Sequence, residues 1–117
     1  MANPNIVNVA SILGKTDTFA LTTTSANLVT ATANTVFKIN SILVTNIDGT
    51  SAADVTIAYN DLTNTRSIAS TIAVPADATL SVIDKTNSFY LEENEVISGL
   101  ASANSDLVCL ISYEIIS

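Results

Sequence analysis

The stretch Val36-Phe37-Lys38-Ile39-Asn40-Ser41-Ile42-Leu43-Val44-Thr45-Asn46 decides the fold class of this chain. It has no glycine or proline, is rich in β-branched residues and reads with a period of two. That period places Phe37, Ile39, Ser41, Leu43 and Thr45 on one face of a strand and Val36, Lys38, Asn40, Ile42 and Val44 on the other. Apolar groups fall on both faces, so neither is expected to be fully wet. The Asp-Gly pair of Ile47-Asp48-Gly49-Thr50 then predicts a turn, with the glycine free to adopt φ > 0. Asp54 to Tyr59 alternates Val55, Ile57 and Tyr59 against Thr56 and Ala58, and the two segments are expected to pair as a hairpin through a loop longer than two residues.

Outward from this pair the same grammar repeats. Toward the N-terminus, Ile6 to Leu13 reads as a strand stopped by Gly14-Lys15-Thr16-Asp17; Thr18 to Thr24 and Asn27 to Thr32 read as two more, broken at Ser25-Ala26. Toward the C-terminus, Arg66 to Val74 is a strand stopped by Pro75-Ala76-Asp77, because proline donates nothing to a ladder. Thr79 to Asp84, Ser88 to Leu91, Glu95 to Ala103 and Leu107 to Ile116 follow, with turns at Lys85-Thr86-Asn87, Glu92-Glu93-Asn94 and Asn104-Ser105-Asp106. No amphipathic helix of useful length competes. About eight to ten short strands predict an all-β, single-domain antiparallel β-sandwich of jelly-roll type. Residues 1–5 form an N-terminal arm and residues 6–117 the sandwich.

The chain has 117 residues, room for one domain and not two. It is 48% hydrophobic and 13% charged, too apolar to be disordered, and 11 acidic against 4 basic residues leave a net charge of −7. Histidine is absent, which removes Ser-His and Cys-His nucleophile pairs, a histidine proton shuttle and His-rich zinc sites. Lys15, Lys38, Arg66 and Lys85 are scattered singly, so the acidic chain is expected to bind neither nucleic acid nor an anionic membrane surface. A lone Cys109 forms no intramolecular disulfide, in keeping with assembly in a reducing cytoplasm. The start, Met1-Ala2-Asn3-Pro4-Asn5, has no export signal pattern, and the longest apolar run, Leu107 to Ile111, is far below the length that spans a bilayer.

Candidate chemistry is thin. Glu92, Glu93 and Glu95, with Asp84 upstream, could offer oxygens to Ca²⁺, but a solvated turn accounts for them more simply. Asn46 to Thr50 echoes an EF-hand loop, and fails because the frame puts Val44 and Val55 at ligand positions. With no Trp to line a sugar cleft, paired carboxylates do not make a glycosidase. Cys109, between Val108 and Leu110, reads as a core residue. No catalytic residue, metal or cofactor is expected. Phe89 and Tyr90 must face opposite ways, and Leu107 to Ile116 puts Leu107, Cys109, Ile111, Tyr113 and Ile115 on one face and Val108, Leu110 and Ile116 on the other. Such two-faced strands want cover from other subunits, which makes Phe89, Tyr90, Val108, Leu110 and Ile116 interface candidates.

The phrases Ala2-Asn3-Pro4-Asn5-Ile6-Val7-Asn8-Val9, Phe37-Lys38-Ile39-Asn40-Ser41, Val44 through Thr50, Ala69-Ser70-Thr71-Ile72, Val74-Pro75-Ala76-Asp77-Ala78-Thr79-Leu80, Tyr90-Leu91-Glu92-Glu93 and Ser112-Tyr113-Glu114 resemble small virion structural proteins of tailed bacteriophages, notably marine and cyanobacterial ones. Where such relatives often carry Gly after the acidic pair, this chain has Asn94, which also tolerates the left-handed conformation. The resemblance implies a capsid decoration (cement) protein on the exterior of the particle, assembled in the host cytoplasm. Its partners would be the major capsid protein or other virion proteins, and it would form a homo-oligomer, with a trimer favoured. The arm, Met1 to Asn5, would order on a neighbour, which adds Met1 and Asn5 to the interface candidates. A neck or tail accessory and a carbohydrate-binding host-adhesion module are the competing readings.

Overall fold

The computed structural model describes residues 11–117. Nine strands follow in order: β1 (Ile12–Ala20), β2 (Ala26–Thr30), β3 (Val36–Asn46), β4 (Ala53–Asn60), β5 (Thr65–Val74), β6 (Thr79–Ile83), β7 (Phe89–Leu91), β8 (Val96–Ala101) and β9 (Leu107–Ile116). They form two antiparallel sheets. Sheet A runs β1-β9-β3-β6, with β7 also on β3, and sheet B runs β2-β8-β4-β5. The pairs β4/β5, β3/β6 with β3/β7, β2/β8 and β1/β9 are those of one long hairpin, and rolling it up brings β3 onto β9 and β4 onto β8. That is a jelly roll, as the strand count and spacing predict.

The two apolar faces of Val36–Asn46 have a local cause. Ile39 pairs with Tyr113 and Ser41 with Ser112, so Asn40 is an extra residue in a β-bulge. The bulge reverses the alternation, and Phe37, Ile39, Ile42, Val44 and Asn46 all turn inward. β7 pairs with residues 37–39 and β6 with residues 42–45, so β6 and β7 are one strand interrupted opposite the bulge. The interruption is a short 3-10 turn, Lys85–Asn87, capped by Asp84, whose Oδ1 accepts from Thr86 N at 2.9 Å while Asn87 Oδ1 accepts from Asp84 N at 2.8 Å. Inward residues of β3 and β9 meet Val55, Ile57, Ala69, Ile97 and Ala101 of sheet B, and Phe37 stacks on Tyr113 with ring centroids 5.1 Å apart.

Three expectations are corrected. The segment from Val36 to Asn46 does not pair with Asp54–Tyr59, since β3 and β4 lie in different sheets and the β3–β4 loop crosses between them. The crossing is fixed by buried Asn46, whose amide donates to Ser51 O and Val74 O, both at 2.9 Å, and accepts from Asp48 N at 2.9 Å. The Asp-Gly signal is an Asx turn instead: Asp48 Oδ1 accepts from Thr50 N and Thr50 Oγ1, both at 2.9 Å, and Gly49 has no positive φ. Gly14-Lys15-Thr16-Asp17 does not stop a strand either. β1 runs straight through it, because all nine of its residues pair with β9 in unbroken register. Of the expected first strand Ile12 and Leu13 belong to β1, Ser11 lies just before it, and residues 6–10, like the arm, lie outside the described residues.

Candidate functional site

The outer face of sheet A can be built row by row from strand register. Ala20, Val108, Thr45 and Thr79 stand side by side; next come Thr18, Leu110, Leu43 and Ser81; then Thr16, Ser112 and Ser41. These three rows hold no charged residue. Val108, Leu110 and Leu43 form a half-buried aliphatic centre, flanked by hydroxyls that pair among themselves, Thr45 Oγ1 with Thr79 Oγ1 at 3.0 Å and Thr16 Oγ1 to Ser112 Oγ at 3.4 Å. A fourth row, Gly14, Glu114, Lys38 and Tyr90, carries the face's charges, and Asn40 Nδ2 donates to Glu114 Oε2 at 3.0 Å. The outer face of sheet B uses the same residue types, with Val96, Ser98 and Leu100 of β8 beside Asn60, Ala58 and Thr56 of β4.

Seven of the eleven acidic groups collect at the two ends of the sandwich. Asp48, Asp77 and Asp106 belong to one loop cluster, tied by Asp77 N to Asp48 O at 3.2 Å and Ile47 N to Asp106 O at 2.8 Å. Asp61 and the Glu92 to Glu95 turn share the other end. That second turn is not the solvated one expected: Glu93 and Glu95 are only 7% and 6% exposed. Glu95 Oε1 accepts from Tyr59 Oη at 2.6 Å and from Glu92 N at 2.8 Å, and Asn94 takes φ 68, the left-handed conformation that the sequence anticipated there. Among the described residues no group of three or more His, Cys, Asp or Glu is disposed to hold a metal. Cys109 is fully buried in β9, and burial pushes its thiol up to about 12, so it has no nucleophilic character.

An open groove of about 310 Å³ lies where the two sheets part, lined by Tyr59, Ile68, Ile83, Phe89 and Tyr90. Tyr59 meets Phe89 edge-on with centroids 5.9 Å apart. Phe89 packs inward as a core neighbour and Tyr90 is 46% exposed, so the two adjacent aromatics do point opposite ways. Among the interface candidates, Val108 and Leu110 lie together in the uncharged rows and Tyr90 in the charged row beside them. Ile116 lies beside Val36 and both are 4% exposed, so Ile116 offers no open surface. Met1 and Asn5 lie outside the described residues. Leu43 is the member of the face that period-two reading misses, because the bulge at Asn40 reverses which side it takes.

No protein-family model matches the chain, and no curated protein matches it. Among solved structures it is similar to a chain in the acidic stable capsid structure of Helicobacter pylori bacteriophage KHP30, with a TM-score of 0.56 at 10% identity, covering 94% of this chain and 90% of that one. It is similar as well to a chain of the Bacillus endospore appendages, described as a novel family of disulfide-linked pili, with a TM-score of 0.52 at 12% identity, covering 100% of this chain and 96% of that one. At such identities the likeness shows the fold.

Proposed function

We propose that this chain is a non-catalytic structural component of a phage particle, a capsid decoration (cement) protein that binds coat subunits on the particle exterior. The observation that carries this reading is the block of three charge-free rows on the outer face of sheet A, in a chain of net charge −7. Acidic ends keep the protein in water and discourage contact with nucleic acid, while a flat hydroxyl and aliphatic face can be covered by a neighbour at little desolvation cost. Likeness of fold to a chain of a phage capsid structure and to a pilus subunit supports a role in assembly. Small contacts repeated over a coat add up through multivalency.

The test is occupancy of the particle. Thr18→Lys and Ser81→Lys put charge on exposed positions flanking Leu110 and Leu43 and should change stability by less than about 0.5 kcal/mol. The double variant should melt like the wild type and be missing from purified particles. Copy number separates the structural roles: many copies spread over the lattice support decoration, and a few copies at one vertex mean a neck or tail accessory. A second reading, host adhesion through carbohydrate, draws on the three aromatics Tyr59, Phe89 and Tyr90 in one groove. Glycan binding that is lost in Tyr90→Ala would favour it.

A further inference from the structure

The four edge strands of the sandwich are not alike. β2 is bulged between Asn27 and Val29; β5 shifts register twice against β4 and holds Thr71 at φ 50; β6 shifts at Leu43 and then breaks into the 3-10 turn. Irregular edges of this kind resist pairing with another chain. β1 alone is regular, nine residues with no bulge and no proline, and among the described residues its outer edge has no partner. Ile12 and Leu13 at its start are 58% and 57% exposed.

Backbone parity says which groups that edge offers. Ser11 and Ser117 exchange both of their hydrogen bonds at 3.0 Å, and Leu21 N donates to Leu107 O at 2.9 Å, so the odd-numbered residues of β1 bond to β9. The N–H and C=O groups of Ile12, Gly14, Thr16, Thr18 and Ala20 therefore point away from the sheet. We propose that this edge pairs antiparallel with β1 of a second copy of the chain, about a two-fold axis at Thr16, joining two copies of sheet A into one continuous sheet.

In this register the strand complements itself. Even residues meet even residues, as the outward groups require: Thr16 opposite Thr16 of the second copy, Gly14 opposite Thr18, Ile12 opposite Ala20. On the inward side Leu13 falls opposite Phe19, and Lys15 opposite Asp17, twice over. Lys15 and Asp17 are 3.8 Å apart within one chain, and the second copy gives each a further partner of opposite sign. Sliding the register by one step of matching parity would set Lys15 against Lys15 in one direction and Asp17 against Asp17 in the other. The two charges thus select a single alignment, and charges that would guard an edge against strangers admit a copy of itself. A two-fold contact of this kind is isologous and closed. The inference rests on the reading of the chain as an assembly subunit and supplies its first partner.

The purified full chain is tested by sedimentation and by cross-linking. The wild type should sediment at twice its 12.2 kDa. Thr16→Pro removes an outward N–H and leaves the β9 ladder whole, so it should melt like the wild type and sediment as a monomer. Facing residues of a hydrogen-bonded pair are about 5.5 Å apart at Cα, inside the roughly 4.4–6.8 Å window of a disulfide. Thr16→Cys should accordingly cross-link to itself under mild oxidation. Ala20→Cys should not, since its two copies would lie about 27 Å apart at about 3.4 Å per residue. Native Cys109 is buried and does not interfere. A monomeric wild type, a trimer, or equal cross-linking of Thr16→Cys and Ala20→Cys would overturn the proposal. If the wild type is monomeric and Thr16→Pro also drops off the particle, the edge takes a strand of a different coat chain. The virion role is read separately, from copy number, and fails only if particles contain no copies.

Discussion

Gly99 stands in β8 directly across from Ile57, and a Cβ there would lie 2.9 Å from Ile57 Cδ1, 3.0 Å from Leu28 Cδ1 and 3.5 Å from Thr56 O. The glycine thus sits in a tight space between β2, β8 and β4 that a methyl group would fill only by pushing the ends of Ile57 and Leu28 aside, with no part played by an unusual φ. Gly99→Ala should cost about 1–3 kcal/mol in urea unfolding, as overpacked cores do, and should leave the fold intact. Two tyrosines tie carboxylates into the structure: Tyr59 donates to Glu95, and Tyr113 donates to Asp17, each at 2.6 Å. Burial, with the carboxylate each phenol serves, holds both well above the ordinary tyrosine value. Unfolded chains lose these protons at about pH 10, while the folded chain keeps them. The stability they contribute is therefore whole below about pH 10 and drains away as pH climbs toward their folded values. Urea midpoints measured at neutral pH and near about pH 11 should fall, and Tyr59→Phe with Tyr113→Phe should flatten the decline.

Asn40 shows what one inserted residue does to an element. Were Asn40 an ordinary ladder residue instead of a bulge, residues 41–46 would keep the alternation set by Phe37 and Ile39, and Ile42, Val44 and Asn46 would turn to solvent while Ser41, Leu43 and Thr45 entered the core. Deleting Asn40 joins Ile39 to Ser41 in the register they already hold against Tyr113 and Ser112 and keeps Ile42 inward, so the deletion should still unfold cooperatively by circular dichroism, and Asn40→Ala should remain folded and lose only the bond to Glu114. The length and composition of β3 and β9 are legible in the sequence because both are long and flanked by clear turn residues. The bulge is not, since Asn40 and Ser41 are compatible with either strand face and the insertion appears only against β9. β1 is obscured by Gly14-Lys15-Thr16-Asp17, which has the composition of a turn but is held extended by its partner strand. The β3–β4 connection misleads for a related reason: Asp48 and Gly49 report a local reversal, while the choice of sheet is made by distant strands and by the buried amide of Asn46. The uncharged rows of the outer face are half legible. Val108 and Leu110 follow from the unbroken period of β9, and Leu43 waits on the bulge.

At the scale of the molecule, the extents of 49 × 26 × 21 Å describe an elongated body with a block of uncharged rows on one flank and acidic clusters at its ends. Repulsion between copies is then least where sheet faces and the β1 edge approach side by side, and greatest end to end. A two-fold contact at Thr16 also departs from the trimer that the resemblance favours, since a closed β1–β1 pair leaves no equivalent edge for a third copy. The rolled hairpin has a consequence in time as well. β9 is an inner strand of sheet A yet lies at the far end of the described chain; it joins β1 to β3, and among the described residues β1 pairs with nothing else. During synthesis, sheet A has no centre until Leu107–Ile116 has been made. Until then β1, with its self-matching pattern, waits without its own partner, and its docking is a late event governed by closure of the long segment between β1 and β9.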